Sequence, residues 1–188
     1  MQRLLALYGT MEGHTATIAR FIGDVARDAG WQADVVHAAE AAPDFALTPY
    51  DAVIVAASVH NRKFEDDVRD FVRTRRSALL AMPSAFVSVS MAAMRPGRLA
   101  ATLEERLFRD TDWRPDARLS VAGALLYRRY TPKVRFFMRL GSWVLRGPTD
   151  TSRDHDLTDW DAVRRFTERF LAAAARRTVA AAAAGERR

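Results

Sequence analysis

Thr10 and Thr15 stand in the segment Gly9-Thr10-Met11-Glu12-Gly13-His14-Thr15, between the apolar run Leu4-Leu5-Ala6-Leu7-Tyr8 and a helical periodicity that begins at Ile18. A strand, a loop bearing hydroxyls and glycine, and a helix N-terminus together present backbone N–H groups and the positive end of the helix dipole to an anion. The loop contains no lysine. Nucleotide hydrolysis through a P-loop wants a lysine on the terminal phosphates, and dinucleotide binding wants G-x-G-x-x-G with an acidic residue at the next strand end. Neither pattern is present, so the loop suits the single phosphate of a mononucleotide such as FMN, or is an ordinary βα turn with a threonine N-cap. In the first case the Thr10 and Thr15 hydroxyls and the Gly13 amide make the contacts, and Gly13 permits close backbone approach. His14 then adds a ring donor or merely covers the loop. Glu12 is expected to point to solvent, because a carboxylate beside a phosphate is unfavourable.

A second segment carries chemistry of another kind. Residues 126–147 hold Arg128, Arg129, Lys133, Arg135, Arg139 and Arg146 and no acid, and the remaining 23 basic residues are balanced by 23 acidic ones. The whole formal charge of +6 therefore belongs to this stretch, which points to an acidic partner. From Pro132 a helix would align Arg135, Arg139, Ser142 and Arg146 on one face and Phe136, Phe137, Leu140, Trp143 and Val144 on the other. Such a helix lies in a membrane interface, meets an anionic and apolar ligand, or packs on its own domain with the arginines solvated.

Composition restricts the chemistry further. The chain has 188 residues, 49% of them hydrophobic, and no cysteine; this is enough for one domain with a full core and excludes disulfides, thiol redox chemistry and Cys-ligated iron–sulfur clusters. Any electron carried must ride on an organic cofactor or a non-thiolate metal. His14, His37, His60 and His155 are scattered without ligand spacing, so no metal site is expected. No signal peptide and no apolar run of about 18 residues is apparent, and the expectation is a cytoplasmic protein. Nucleic acid is not expected among its partners.

The elements that must position these residues alternate. Apolar runs predict strands at 4–8, 33–37, 52–57, 84–90 and 119–125, with helices over about 13–29, 64–77, 98–108 and 158–174 between and after them. Five strands alternating with helices imply an α/β fold, a doubly wound five-stranded parallel sheet with helices on both faces. Residues 1–175 form one domain, 126–158 a basic insertion after the fifth strand, and the alanine-rich tail 176–188 is expected to be frayed. Ligands of such sheets bind at the carboxyl ends of the strands. A response regulator of this topology needs an acidic pair after the first strand and an Asp ending the third; Gly9-Thr10 and Ala56-Ala57-Ser58 occupy those places and remove that option.

Several segments, taken together, resemble one family. They are the Thr10–Thr15 loop, Ala57-Ser58-Val59, Met82-Pro83-Ser84-Ala85-Phe86, Asp112-Trp113-Arg114-Pro115, Ala122-Gly123-Ala124-Leu125 with Tyr127, Thr149-Asp150-Thr151 and Thr158-Asp159-Trp160. This set is similar to the flavodoxin-type bacterial protoporphyrinogen IX dehydrogenases, from the first strand to Phe170. The resemblance implies a flavodoxin-like fold, FMN as cofactor, protoporphyrinogen IX as substrate, a membrane quinone such as menaquinone as acceptor, and a place in haem biosynthesis. The basic, aromatic segment 126–147 fits this independently, and peripheral contact with the inner face of an anionic cell membrane is expected through it. The flavin ring is then expected between a loop with Ser58, Val59, His60 and Asn61 and one with Ser90, Met91, Ala92, Ala93 and Met94, without the aromatic stacking partner common in flavodoxins. Arg62, Arg95 and Arg98 near that rim could meet carboxylates of a porphyrin. No side chain stands out as catalytic. Two other classes remain open, a flavodoxin-like electron carrier and a nicotinamide-fed quinone reductase, as does assembly into a homo-oligomer.

Overall fold

The computed structural model describes all residues except 43, 61–62, 96–97 and 186–188, and only the backbone of 60, 98 and 181–185. Five strands form a parallel sheet: β1 (Arg3–Gly9), β2 (Gln32–His37), β3 (Ala52–His60), β5 (Ser84–Val89) and β6 (Ala117–Val121), in the order β2-β1-β3-β5-β6. Leu4, Leu5, Ala6 and Leu7 are all buried, as the unbroken apolar run requires of a strand covered on both faces. Successive side chains alternate. Leu4 and Ala6 pack with Ile18, Ile22, Phe166 and Phe170 under α1 (His14–Asp28) and α6 (Trp160–Gly185), whereas Leu5 and Leu7 pack with Val68, Phe71 and Leu107 under α2 (Asp66–Thr74) and α4 (Arg98–Thr111). On the second face Phe86 meets Phe64, Phe108 and Trp113 edge to face at 5.2, 5.5 and 6.0 Å. The Trp113 indole donates to Ser84 Oγ at 3.2 Å, so this tryptophan motif serves the core. Phe86→Ala would cost about 3–5 kcal/mol there.

The chain leaves β1 for β2 on one side and returns to β3 on the other, which opens a crevice at the carboxyl ends of β1 and β3. A two-residue strand β4 (Lys63–Phe64) folds back antiparallel on β3, pairing Val59 with Phe64 and His60 with Lys63.

Three departures from the sequence reading have local causes. The expected strand 119–125 is interrupted: β6 ends at Val121 and β7 (Ala124–Leu125) leaves the sheet to pair with β8 (His155–Asp156). Gly123 approaches β5 so closely that a Cβ there would sit 2.9 Å from Val89 Cγ1, and the Ala122 and Gly123 carbonyls accept from Thr158 Oγ1 and Leu157 N at 3.1 and 3.3 Å. The expected helix 64–77 is divided at Arg75 into α2 and α3 (Arg76–Ala81), with the Arg75 guanidinium donating to the Phe45 and Ala42 carbonyls. The tail expected to fray from 176 instead continues α6 to Gly185, consistent with alanine's high helix propensity. The insertion contains α5 (Pro132–Val144), opened by a Thr131 cap and Pro132 in the first turn.

Candidate cofactor cleft

The loops after β1, β3 and β5 enclose a cleft of about 610 Å³ at the carboxyl end of the sheet. Thr10, Met11, Glu12, His14 and Thr15 line it from the first loop, Ser58 and Val59 from the end of β3, and Ser90, Met91, Ala92 and Met94 from the end of β5. Gly13 and Ala93 belong to these loops without lining the cleft. His60 is described only by its backbone, paired with Lys63, and Asn61 and Arg62 lie outside the described residues. The sequence reading missed the opposite walls, Leu99 and Leu103 on α4, Gly123 and Ala124 at the strand break, and Val134 and Met138 on α5. Only the Ala122-Gly123-Ala124 motif hinted at these. No Phe, Tyr or Trp side chain lines the cleft among the described residues. Another hollow, of about 530 Å³, lies at the opposite strand ends beside Asp116 and Arg177, remote from all these loops.

The first loop brings the uncapped start of α1 to the cleft. Gly13 adopts φ 89° with nothing near its missing Cβ, so its conformation and not crowding selects glycine. Its N–H donates to Thr10 Oγ1 at 2.9 Å, and α1 has no side-chain cap. The N–H groups of its first turn therefore have no intrahelical acceptor. Thr15 is buried in that turn.

Glu12 does not simply face solvent. The Tyr130 hydroxyl donates to Glu12 Oε2 at 2.9 Å and accepts from Leu126 N at 3.3 Å. Burial first, then the Glu12 charge, push the Tyr130 ionisation well above its ordinary value, so it remains a donor. The insertion thus holds the carboxylate that would otherwise oppose an anion. His14 Nε2 lies 2.7 Å from Thr158 Oγ1 and 3.4 Å from Asp156 Oδ1. Since Thr158 gives its proton to the Ala122 carbonyl, it accepts from Nε2–H. The ring is committed to that network and covers the loop. Burial lowers the His14 pKa, against the attraction of Asp156.

In the third loop the Ser90 hydroxyl is buried on the cleft wall without a partner, a polar atom suited to a ligand. The Ser58 hydroxyl donates to the Glu65 carboxylate. An open helix start and hydroxyls at one end, an orphaned serine hydroxyl farther in, and walls of Met, Leu and Val suit a flavin mononucleotide, whose phosphate is anionic and whose ring is flat and mostly apolar.

Helix α5 closes one side of the cleft, turned opposite to an ordinary surface helix. Ser142 is fully buried and donates to the Pro148 carbonyl at 2.7 Å. Arg135, expected on an exposed basic face, points inward and donates to the Tyr127 and Tyr130 carbonyls at 3.0 and 3.2 Å. Outward stand Phe136, Phe137 and Trp143, exposed by 64, 59 and 68%, with Leu140 and Val144. Arg139 and Arg146 flank them in solvent.

A parallel sheet in this order, with a mononucleotide cleft at its switch point, is a flavodoxin-like α/β protein. The Flavodoxin domain family matches residues 5–152. Protoporphyrinogen IX dehydrogenase [quinone] of Escherichia coli (strain K12) is 33% identical over 169 residues, covering 87% of this chain and 92% of that protein. The protein of the same name from Leishmania major is 33% identical over 174 residues, covering 90% and 75%. Oxidised Flavodoxin 1 from Bacillus cereus superposes with a TM-score of 0.56 at 18% identity, covering 90% of this chain and 97% of that one. The chain belongs to the flavodoxin domain family and, within it, to the protoporphyrinogen IX dehydrogenases [quinone].

Proposed function

We propose that this protein oxidises protoporphyrinogen IX to protoporphyrin IX with FMN in the cleft and passes the electrons to a membrane quinone, menaquinone in our reading, in haem biosynthesis. The relatives carry that activity in their names. The observation that carries the reading is that one helix has two roles to play: α5 walls the cleft with Val134 and Met138 and turns an unpartnered apolar face outward.

FMN, when bound, supplies the redox chemistry that no side chain here offers. Thr10, Thr15 and the amides around Gly13 hold its phosphate. Ser58 and Val59 on one side, and Ser90, Met91, Ala92 and Met94 on the other, flank its ring. The apolar walls exclude water and accept a bulky hydrophobic substrate. No residue is assigned as catalytic.

Residues 126–147 dock on the cytoplasmic leaflet of an anionic membrane. Phe136, Leu140 and Trp143 surround a shallow hollow of about 220 Å³ with Arg139 at its side, the amphipathic chemistry of an interfacial helix. No helix among the described residues is long and apolar enough to cross a membrane, so the contact is peripheral. Purified protein loaded with FMN, given protoporphyrinogen and a menaquinone analogue without oxygen, should develop porphyrin fluorescence as quinone is reduced. Quinone reduction driven only by reduced nicotinamide would overturn the reading.

A further inference from the structure

We propose that a cationic recess between α2 and α4 receives a carboxylate arm of the substrate while the body of that substrate lies in the cofactor cleft. The inference rests on the reading above.

The recess, of about 130 Å³, is lined by Lys63, Arg69, Arg73 and Arg106 and by one carboxylate, Asp110. It adjoins the cofactor cleft, because Leu103 lines both. The sequence brings the cations together by simple spacings. Arg69 and Arg73 are four apart on α2, and Arg106 lies three beyond Leu103 on α4, so each pair shares a helix face. Lys63 stands opposite His60 in the β3–β4 hairpin, in which Val59 lines the cleft and Phe64 the recess.

These cations are available. Arg69 pairs with Asp66 at 2.9 Å, Arg73 with Asp70 at 3.6 Å and Arg106 with Asp110 at 4.0 Å. All three pairs lie within a single helix; those of Arg73 and Arg106 are exposed, a kind that contributes little and exchanges readily, and in the Arg69 pair the Asp66 side is exposed by 78%. Arg69 Nε is buried without an acceptor, and Lys63 has no ion-pair partner among the described residues. Buried Phe64 and Leu107 form the floor and reduce the water that would screen a carboxylate there.

The volume admits a short acidic arm and not a ring, whereas the adjoining cleft takes a ring and offers it almost no countercharge. A macrocycle with propionate arms on one edge and methyl and vinyl groups elsewhere matches both. The recess then sets its orientation: acidic edge toward α2 and α4, apolar edge toward Met138 and α5. Arg95, named at the rim from sequence, is not among the described residues lining the recess; Arg62 and the Arg98 side chain lie outside the described residues.

The test compares protoporphyrinogen IX with its dimethyl ester on the FMN-loaded protein and on a Lys63→Glu/Arg106→Glu variant. Equilibrium binding of protoporphyrin IX and its dimethyl ester, followed by porphyrin fluorescence, gives a readout independent of turnover. Charge-assisted contacts are the strong ones, so KM and Kd for the diacid should rise about tenfold or more in the variant, those for the ester by less than about twofold, with FMN content unchanged. If charge reversal impairs folding, Lys63→Gln/Arg106→Gln carries the same comparison, and Arg106→Lys should recover part of the diacid preference. Diacid and ester shifting alike, or wild-type protein binding both equally, overturns the recess. Wild-type protein that binds the diacid preferentially but never oxidises it overturns the proposed activity and leaves the recess standing.

Discussion

The loop after β1 and the helix of the insertion are built from the same alphabet of apolar, hydroxyl and charged residues and use it in opposite senses. At the loop the apolar strand is buried and the polar residues face the cleft. On α5 a serine is buried and an arginine half-buried, while two phenylalanines and a tryptophan face outward. The difference teaches that an amphipathic pattern names two faces of a helix without saying which one packs. Here the inner face is selected by carbonyls that need donors, those of Tyr127, Tyr130 and Pro148. Gly147, just beyond α5, admits the Met94 side chain where a Cβ would clash, and Met91 Cε reaches ordinary contact distance, 3.7 Å, of a Cβ at Gly141. Both methionines line the cofactor cleft, so α5 leans on the loop assigned to the flavin ring.

The sharpest separation of the two regions comes from the loop. Thr10→Ala/Thr15→Ala removes two hydrogen bonds to a charged phosphate, worth about 1.5–3 kcal/mol each. FMN affinity should fall by roughly two to four orders of magnitude with vesicle binding retained. A fluorescence titration with unchanged affinity would remove the phosphate assignment.

The complementary change on α5 is Phe136→Ser/Phe137→Ser/Trp143→Ser. It removes burial worth up to about 1.5–3 kcal/mol per ring on insertion, and sedimentation with anionic vesicles should show binding largely lost. FMN affinity and thermal stability should hold, because these rings touch solvent in the folded protein. Arg139→Glu/Arg146→Glu should remove only the salt-sensitive part, about 1 kcal/mol per residue. Arg135→Glu belongs to a different class and should lower stability, since its guanidinium serves two carbonyls.

The regions meet at Tyr130, where independence should fail. Tyr130→Phe releases Glu12 beside the phosphate site, and FMN binding should weaken by about 0.5–1.5 kcal/mol. Adding Glu12→Gln should recover most of that loss; a double-mutant cycle with no coupling would mean that the contact is incidental.

The smallest effect concerns His14, held below its ordinary pKa of 6.5 by burial. A lowered folded-state pKa means that the unfolded chain binds the proton more readily. The contribution of His14 to stability is therefore full above about pH 6.5 and is lost as the pH falls through its folded-state value. Denaturant unfolding at pH 7 and pH 5 should differ less in His14→Gln than in the wild-type protein.

Sequence alone determined the parallel sheet, because continuous apolar runs alternating with helical periodicity admit few other architectures. It also placed the loop between β1 and α1 on the cleft, because strand, loop and helix start are contiguous in the chain. Eleven of the expected cofactor residues line the cleft, five from that loop and six from the carboxyl ends of β3 and β5, where a doubly wound sheet places its ligand. Only the tertiary structure decided the rest. The far wall comes from α4 and α5, which the chain reaches long after the loop. The restraint on Glu12 spans 118 residues. The strand break at Gly123 depends on how closely β5 approaches. The outward face of α5 depends on which backbone carbonyls lie beneath it. Local patterns reflect local covalent geometry, whereas these features depend on partners distant in sequence, which only packing brings into reach.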